Sequence, residues 1–194
     1  MGLKVIIADD EAIMRTDLKE RLEERGYEVV GEAADGFEAI ELCQEHHPDL
    51  ALLDIKMPLL DGLGAAKVIH DENTAGCIVM VSAYSDKKYV SSSAEIGVMG
   101  YIVKPFQDNA IFPAIEIAVK RSGDMNKLKL AVKEKEAKLE ERKLIDKAKG
   151  IVMKKEALDE KEAYEYLRSL SMNKRKTMKE IAEIIILNDR ITAK

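Results

Sequence analysis

Five polar residues, Asp9, Asp10, Asp54, Ser82 and Lys104, each lie at or just beyond the carboxyl end of a short apolar run. Brought to one edge, three carboxylates repel one another and call for a hard cation; oxygen donors of this kind suit Mg²⁺. With that charge neutralised, one carboxylate can act as nucleophile toward a phosphoryl group, and Asp54 is the candidate. Lys104 would then pair with the phosphoryl oxygens as a point charge, and the Ser82 hydroxyl would donate a hydrogen bond to one of them. Taken singly, each residue has a commoner reading as a helix cap, a turn residue or a surface lysine. Their order and placement together carry the chemistry.

The elements needed to position these groups are legible. Residues 3–8, 27–33, 49–54, 77–83 and 100–104 read as strands. Between them, Ile13, Leu18 and Leu22, then Ala39, Ile40 and Cys43, then Ala65, Val68 and Ile69 have helical spacing. Five strands alternating with five helices predict an α/β fold, a (βα)5 doubly wound parallel sheet, its last helix running from about Asp108 to Arg121. Open sheets of this class gather their working groups at the carboxyl ends of the strands, near the switch in strand order.

With "ADDE" (8–11), "LLDIKMPLLDG" (52–62), "VSA" (81–83) and "YIVKPF" (101–106), residues 1–121 resemble a response-regulator receiver domain. The resemblance implies that Asp54 is the phosphoacceptor and that Asp9, Asp10, Asp54 and the backbone carbonyl of Lys56 bind Mg²⁺. It further implies a sensor histidine kinase as partner, a cis Lys104–Pro105 peptide, and Ser82 with Tyr101 as the pair that moves on phosphorylation. From the sequence alone Tyr101 reads equally as a strand-edge aromatic.

Charge divides the chain. Residues 1–119 hold 10 Lys/Arg against 22 Asp/Glu and residues 120–194 hold 21 against 14, so net charges of −12 and +7 make up the overall −5. The basic part points to an anionic partner or to a lysine-rich solvated face. Beyond Gly123 it has no proline and one further glycine, Gly150, which is helix composition. Residues 122–142 read as a helical linker. Met125, Leu128, Val132 and Leu139 keep an approximate heptad register, but Lys135 and Arg142 occupy the next seam positions, so a coiled coil and a solvated helix prolonging the preceding one both stand.

Residues 143–194 predict a small three-helix bundle. Its apolar stripes are Leu144, Ile145, Ala148, Ile151 and Val152; then Ala163, Leu167 and Leu170; then Met178, Ile181, Ala182 and Ile185. Asp159 and Asn173 are the expected starts of the second and third helices. Lys147, Lys149 and Gly150 fall near one outer side. A glycine inside a helix costs roughly 1 kcal/mol against alanine; it serves here either a close approach by a ribose–phosphate or close helix packing. The stretch "SMNKRK" (171–176), one turn after Arg168, adds basic groups beside an asparagine, a combination able to hold phosphates and base edges.

"KLIDKAKGIVM" (143–153), "EAYEYLRSLSMNKRK" (162–176) and "KEIAEIII" (179–186) resemble the ANTAR domain, the three-helix RNA-binding module of transcription antitermination regulators. The resemblance implies recognition of paired RNA hairpins in a nascent leader transcript, with Lys147, Lys149, Gly150, Arg168, Met172, Asn173 and Arg175 as RNA contacts. Tyr164 or Tyr166 is placed either to stack on a base or to fill the small core. The combination with a receiver most resembles the ethanolamine-utilisation antiterminators, whose partner is a sensor histidine kinase; the expected mechanism has phosphorylation rearrange the receiver's far face toward a self-complementary homodimer.

Other classes are disfavoured. No apolar run is long enough to span a bilayer and the first residues read as a strand rather than a signal segment, so a cytoplasmic protein without a membrane partner is expected. Cys43 and Cys77 have no metal or redox spacing, His46, His47 and His70 no ligand-rich surroundings, and no motif marks a pocket for a small-molecule substrate. The expectation is a regulator that is no enzyme beyond handling its own aspartyl phosphate. The competing outputs are a duplex-DNA-binding helix-turn-helix and a protein-binding adaptor.

Overall fold

The computed structural model describes residues 2–83, 87–105 and 107–192; Phe106, at the end of the "YIVKPF" motif, lies outside them. The elements run β1 (Lys4–Ala8), α1 (Ala12–Glu24), β2 (Glu28–Ala33), α2 (Gly36–His46), β3 (Leu50–Asp54), α3 (Gly62–Glu72), β4 (Ile78–Ser82), α4 (Lys87–Ile96), β5 (Gly100–Val103), α5 (Asp108–Glu156), α6 (Glu160–Lys174) and α7 (Met178–Thr192). The chain divides into two compact units, Met1–Lys127 and Leu128–Lys194.

In the first unit all strand pairs are parallel, in the order β2-β1-β3-β4-β5. Alternate residues of each strand feed two cores, as period-2 side-chain geometry requires. Val5, Ile7, Leu50, Leu52, Val79 and Val81 pack with Leu18 and Leu22 of α1 and with Phe112, Ile115 and Ala118 of α5. Ile6, Ala8, Ala51, Leu53, Ile78 and Met80 pack with Ala39 and Cys43 of α2 and Ala65 and Ile69 of α3. Strands buried on both faces explain the unbroken apolar runs of β3 and β4. Both cysteines are buried and free, and burial pushes their thiols up to about 12. One expected core position is corrected: Ile13, in the first turn of α1, is 82% exposed.

Strand order reverses at β1 and β3, so the chain leaves these neighbours toward opposite faces and opens a crevice at their carboxyl ends. Helices α2 and α3 are started by side-chain caps. The Asp35 carboxylate accepts from the Phe37 and Glu38 amides at the head of α2, and Asp61 accepts from Gly64 at the head of α3.

Of the two readings of residues 122–142, the structure has the helix that prolongs the preceding one: the segments from Asp108 onward form one continuous element, α5, which also takes in the first helix of the three-helix unit. No proline follows Pro113, and glycine weakens a helix without removing its hydrogen bonds, so nothing in the sequence ends it before Ala157, which takes a positive φ of 54°. Met125, Leu128, Leu130, Val132 and Leu139 along this stretch are 45–63% exposed.

In the second unit Ala148 and Val152 of α5, Ala163 and Leu167 of α6, and Ile181, Ala182 and Ile186 of α7 form the core. Asp159 starts α6 as expected, through a reciprocal capping box with Glu162. Asn173 does not start α7. It lies in the last turn of α6, Arg175 takes the left-handed cap at φ 52°, and α7 begins at Met178. The start signal is the "TMKE" stretch: the Thr177 hydroxyl accepts from the Glu180 amide at 3.2 Å, while the Thr177 amide donates to the Glu180 carboxylate at 2.8 Å.

Candidate phosphorylation and RNA-binding sites

Asp9 follows β1, Asp54 ends β3, Ser82 ends β4 and Lys104 follows β5, so parallel pairing in register brings them to one edge of the sheet. The Lys104 ammonium sits between two buried carboxylates, 2.5 Å from Asp9 Oδ2 and 2.9 Å from Asp54 Oδ1. Asp9 Oδ1 accepts from the Glu11 amide, and Asp54 Oδ2 accepts from the Lys56 amide at 2.8 Å. The Lys104 peptide is held by its own amide, which donates to the Ser82 carbonyl, and the Lys104–Pro105 bond is cis.

Burial of Asp54 raises its pKa above the ordinary carboxylate value; Lys104 opposes this and the nearby Asp9 adds to it. For Lys104 burial acts to lower the pKa, but hydrogen bonds and attraction to Asp9 and Asp54 outweigh it, and the ammonium is held above its usual range. The site therefore contains a desolvated carboxylate whose charge is answered by one cation. Gly62 permits the loop after β3 to fold back onto it. A Cβ there would fall 1.8 Å from the Asp54 carbonyl oxygen.

Ser82 is fully buried, and Tyr101 is half-buried against the α2/α3 side of the core. Asp10 is exposed on its loop, and among the described residues no three acidic, histidine or cysteine side chains form a ready-made metal cluster. Two buried carboxylates nonetheless fit Mg²⁺, which characteristically takes one or two carboxylates and completes its shell with water and phosphate oxygens.

The second candidate site lies in the Leu128–Lys194 unit. Lys147 and Gly150 share a cavity of about 390 Å³ on the α5 surface with Ile151, Lys154, Lys155 and Asp189. Lys149 points elsewhere: its ammonium bridges Asp146 of α5 and Glu160 of α6 at 3.0 and 2.8 Å and is only 15% exposed. Its pairing explains a raised pKa and gives it a role in joining two helices. Gly150 does not serve close packing, since a Cβ added there meets nothing within 4 Å. Arg168, Met172, Asn173 and Arg175 are all exposed, Met172 at 71%, and Arg168 makes a loose 3.9 Å pair with Glu165. Tyr164 and Tyr166 are 45% and 40% exposed and are absent from the core that Ala163 and Leu167 build.

Two family models match the chain: the response regulator receiver domain over residues 5–116 and the ANTAR domain over residues 133–186. The chain is a receiver–ANTAR response regulator. It is 43% identical over 183 residues, 94% of this chain and 89% of the relative, to the transcriptional regulatory protein PdtaR of Mycobacterium tuberculosis (strain H37Rv). Its first part is 40% identical to the chemotaxis protein CheY of Bacillus subtilis (strain 168), over 59% of this chain and 96% of that one. Among solved structures, the receiver domain of the putative response regulator NarL from Mycobacterium tuberculosis matches with a TM-score of 0.58 and 30% identity, covering 61% of this chain and 97% of that one. The acidic edge lies within the receiver match, and the lysine-lined cavity, but for Asp189, within the ANTAR match.

Proposed function

We propose that this response regulator accepts a phosphoryl group on Asp54 from a sensor histidine kinase, dimerises, and binds tandem RNA hairpins in a nascent leader transcript, so causing transcription antitermination. The observation that carries the input half is the single ammonium of Lys104 held by both Asp9 and Asp54. An oxygen of Asp54 forms the new bond to phosphorus as the bond to the donor's imidazole nitrogen breaks. Asp9, Asp54, Asp10 and the Lys56 carbonyl would hold Mg²⁺; when bound, the ion supplies positive charge at the phosphoryl oxygens. Lys104 exchanges its contact with Asp54 for one with the phosphoryl group, and the buried Ser82 hydroxyl donates to a phosphoryl oxygen. The added charge draws Ser82 inward and Tyr101 with it, which alters the β5 edge of the sheet.

For the output half, the exposed basic residues of the second unit support RNA as the ligand, and the exposed apolar residues of α5 from Met125 to Leu139 support pairing with a second copy. Two modules on one dimer bind two hairpins with an affinity raised by effective concentration. Binding of the purified chain to a two-hairpin RNA, a single hairpin and a DNA duplex, with and without a phosphoryl donor and Mg²⁺, tests this reading. Tight, donor-dependent binding to the two-hairpin RNA alone is expected. Equal weak binding to all three would refute it, and the same donor-dependent binding by Asp54→Ala would refute the coupling.

A further inference from the structure

Helix α7 is apolar on two sides. Ile181, Ala182 and Ile186 enter the core of the Leu128–Lys194 unit, with Met178 and Ile185 packed against it. Ile184, Leu187 and Ile191 remain 51%, 59% and 65% exposed. Their spacing of three and four residues sets them in one stripe, and at about 3.6 residues per turn that stripe is turned away from Ala182 and Ile186. A helix with one face toward solvent ordinarily carries polar residues there, as α6 does with Lys161, Glu165 and Arg168. Large aliphatic side chains in a row on the outer face of a small unit mark an interaction surface.

We propose that the occupant is the same stripe of a second copy, the two α7 helices lying antiparallel about a two-fold axis. The charges beside the stripe decide this choice. Glu183 and Arg190 immediately precede Ile184 and Ile191, so they lie on the same flank of the stripe; both are exposed, and among the described residues neither forms a salt bridge. In an antiparallel pair like flanks face each other. With Ile184 set against Leu187 of the other copy, Glu183 meets Arg190 of the other copy, and the two-fold axis repeats the pair at the far end. In a parallel pair this flank would face the opposite one, where Asn188 stands, an uncharged amide that neutralises neither group. A partner of uniform charge would set a like charge against either Glu183 or Arg190.

The stripe of each copy covers roughly a few hundred Å², short of the ~1,000 Å² of a self-sufficient interface, so the contact is weak alone. It uses residues other than the exposed apolar ones of α5 and needs neither a phosphoryl group nor RNA, and so goes beyond pairing through α5. Where another contact already joins two copies, the raised effective concentration lets α7 pairing set how the two output units face each other.

The test measures self-association of the full chain, unphosphorylated and without nucleic acid, by sedimentation equilibrium at concentrations into the millimolar range. The parent and every variant carry Val132→Asp, which charges the exposed α5 stripe and removes pairing through α5 from the readout. Leu187→Asp should weaken association about 10-fold or more. Glu183→Arg and Arg190→Glu should each weaken it about 3- to 10-fold by setting like charges opposite each other. An equal mixture of these two should associate as strongly as the parent, since each supplies the charge that the other lacks. All the substituted positions are exposed, so far-UV circular dichroism should be unchanged. Equal association of the parent and Leu187→Asp, no association of the parent, or a mixture no stronger than its components would each overturn the proposal. None of these outcomes bears on donor-dependent binding of two hairpins, so the two readings fail separately.

Discussion

Replacing Gly150 by alanine is expected to stabilise the output unit. The position lies well inside α5, which continues to Glu156, and its φ is not in the left-handed region that would demand glycine. An added Cβ meets nothing within 4 Å, so no neighbour has to yield. The remaining effect is helix propensity, about 1 kcal/mol in favour of alanine. In a unit the size of Leu128–Lys194 that corresponds to ~4–8 °C in melting temperature. Hydrogen exchange of the Leu167 and Ile181 amides, read by NMR in the full chain, isolates this unit from the receiver, because both residues belong to its core. Exchange through unfolding of the unit should slow about fivefold. Faster exchange in Gly150→Ala would mean that the glycine is held by packing, and the reasoning that the space above it is kept for a ligand would fail.

Removing Lys104 as Lys104→Met leaves Asp9 and Asp54 buried without their cation, and the receiver should lose about 3 kcal/mol in urea denaturation with a chelator present; a loss below about 1 kcal/mol would show the pair to be solvated. Asp54→Asn should act in the opposite direction. Burial raises the folded-state pKa of Asp54, so stability from this group is full below the ordinary carboxylate range and is lost as pH rises through the folded value. The Asn variant should therefore be the more stable at neutral pH without Mg²⁺ and show a flatter melting temperature from acid to neutral pH; a steeper profile would contradict the direction of the shift. Asp159→Ala removes one half of the capping box on α6 and should cost about 1 kcal/mol, read by urea denaturation followed by far-UV circular dichroism, with no effect expected if the helix is held by packing alone.

The acidic site was readable because Asp9, Asp54 and Ser82 each stand at the end of a run of buried strand residues. Asp54 needed only that Leu50 to Leu53 form a central strand, and parallel pairing did the rest. The sequence misled where a local signal competed with a stronger one nearby. Asn173 has the chemistry of a helix start, but Thr177 and Glu180 cap α7 from both sides, and Asn173 is absorbed into α6. Ile13 fits a helical stripe with Leu18 and Leu22, yet only the latter two are buried against the sheet. Periodicity marks a face without saying how far along the helix the sheet reaches.

Lys149 and Gly150 show what no pattern along one chain segment contains. As neighbours in "KAKG" they look like one basic surface, but Glu160 arrives from α6 and draws Lys149 into an ion pair between helices, while nothing comes within reach of Gly150. An exposed lysine that gains two carboxylates gives up much of its attraction for an outside anion. Lys147 and Lys154, one turn to either side of Gly150, keep theirs. The helix accepts the weakness of a glycine at the centre of that face, where alanine would fit at no steric cost.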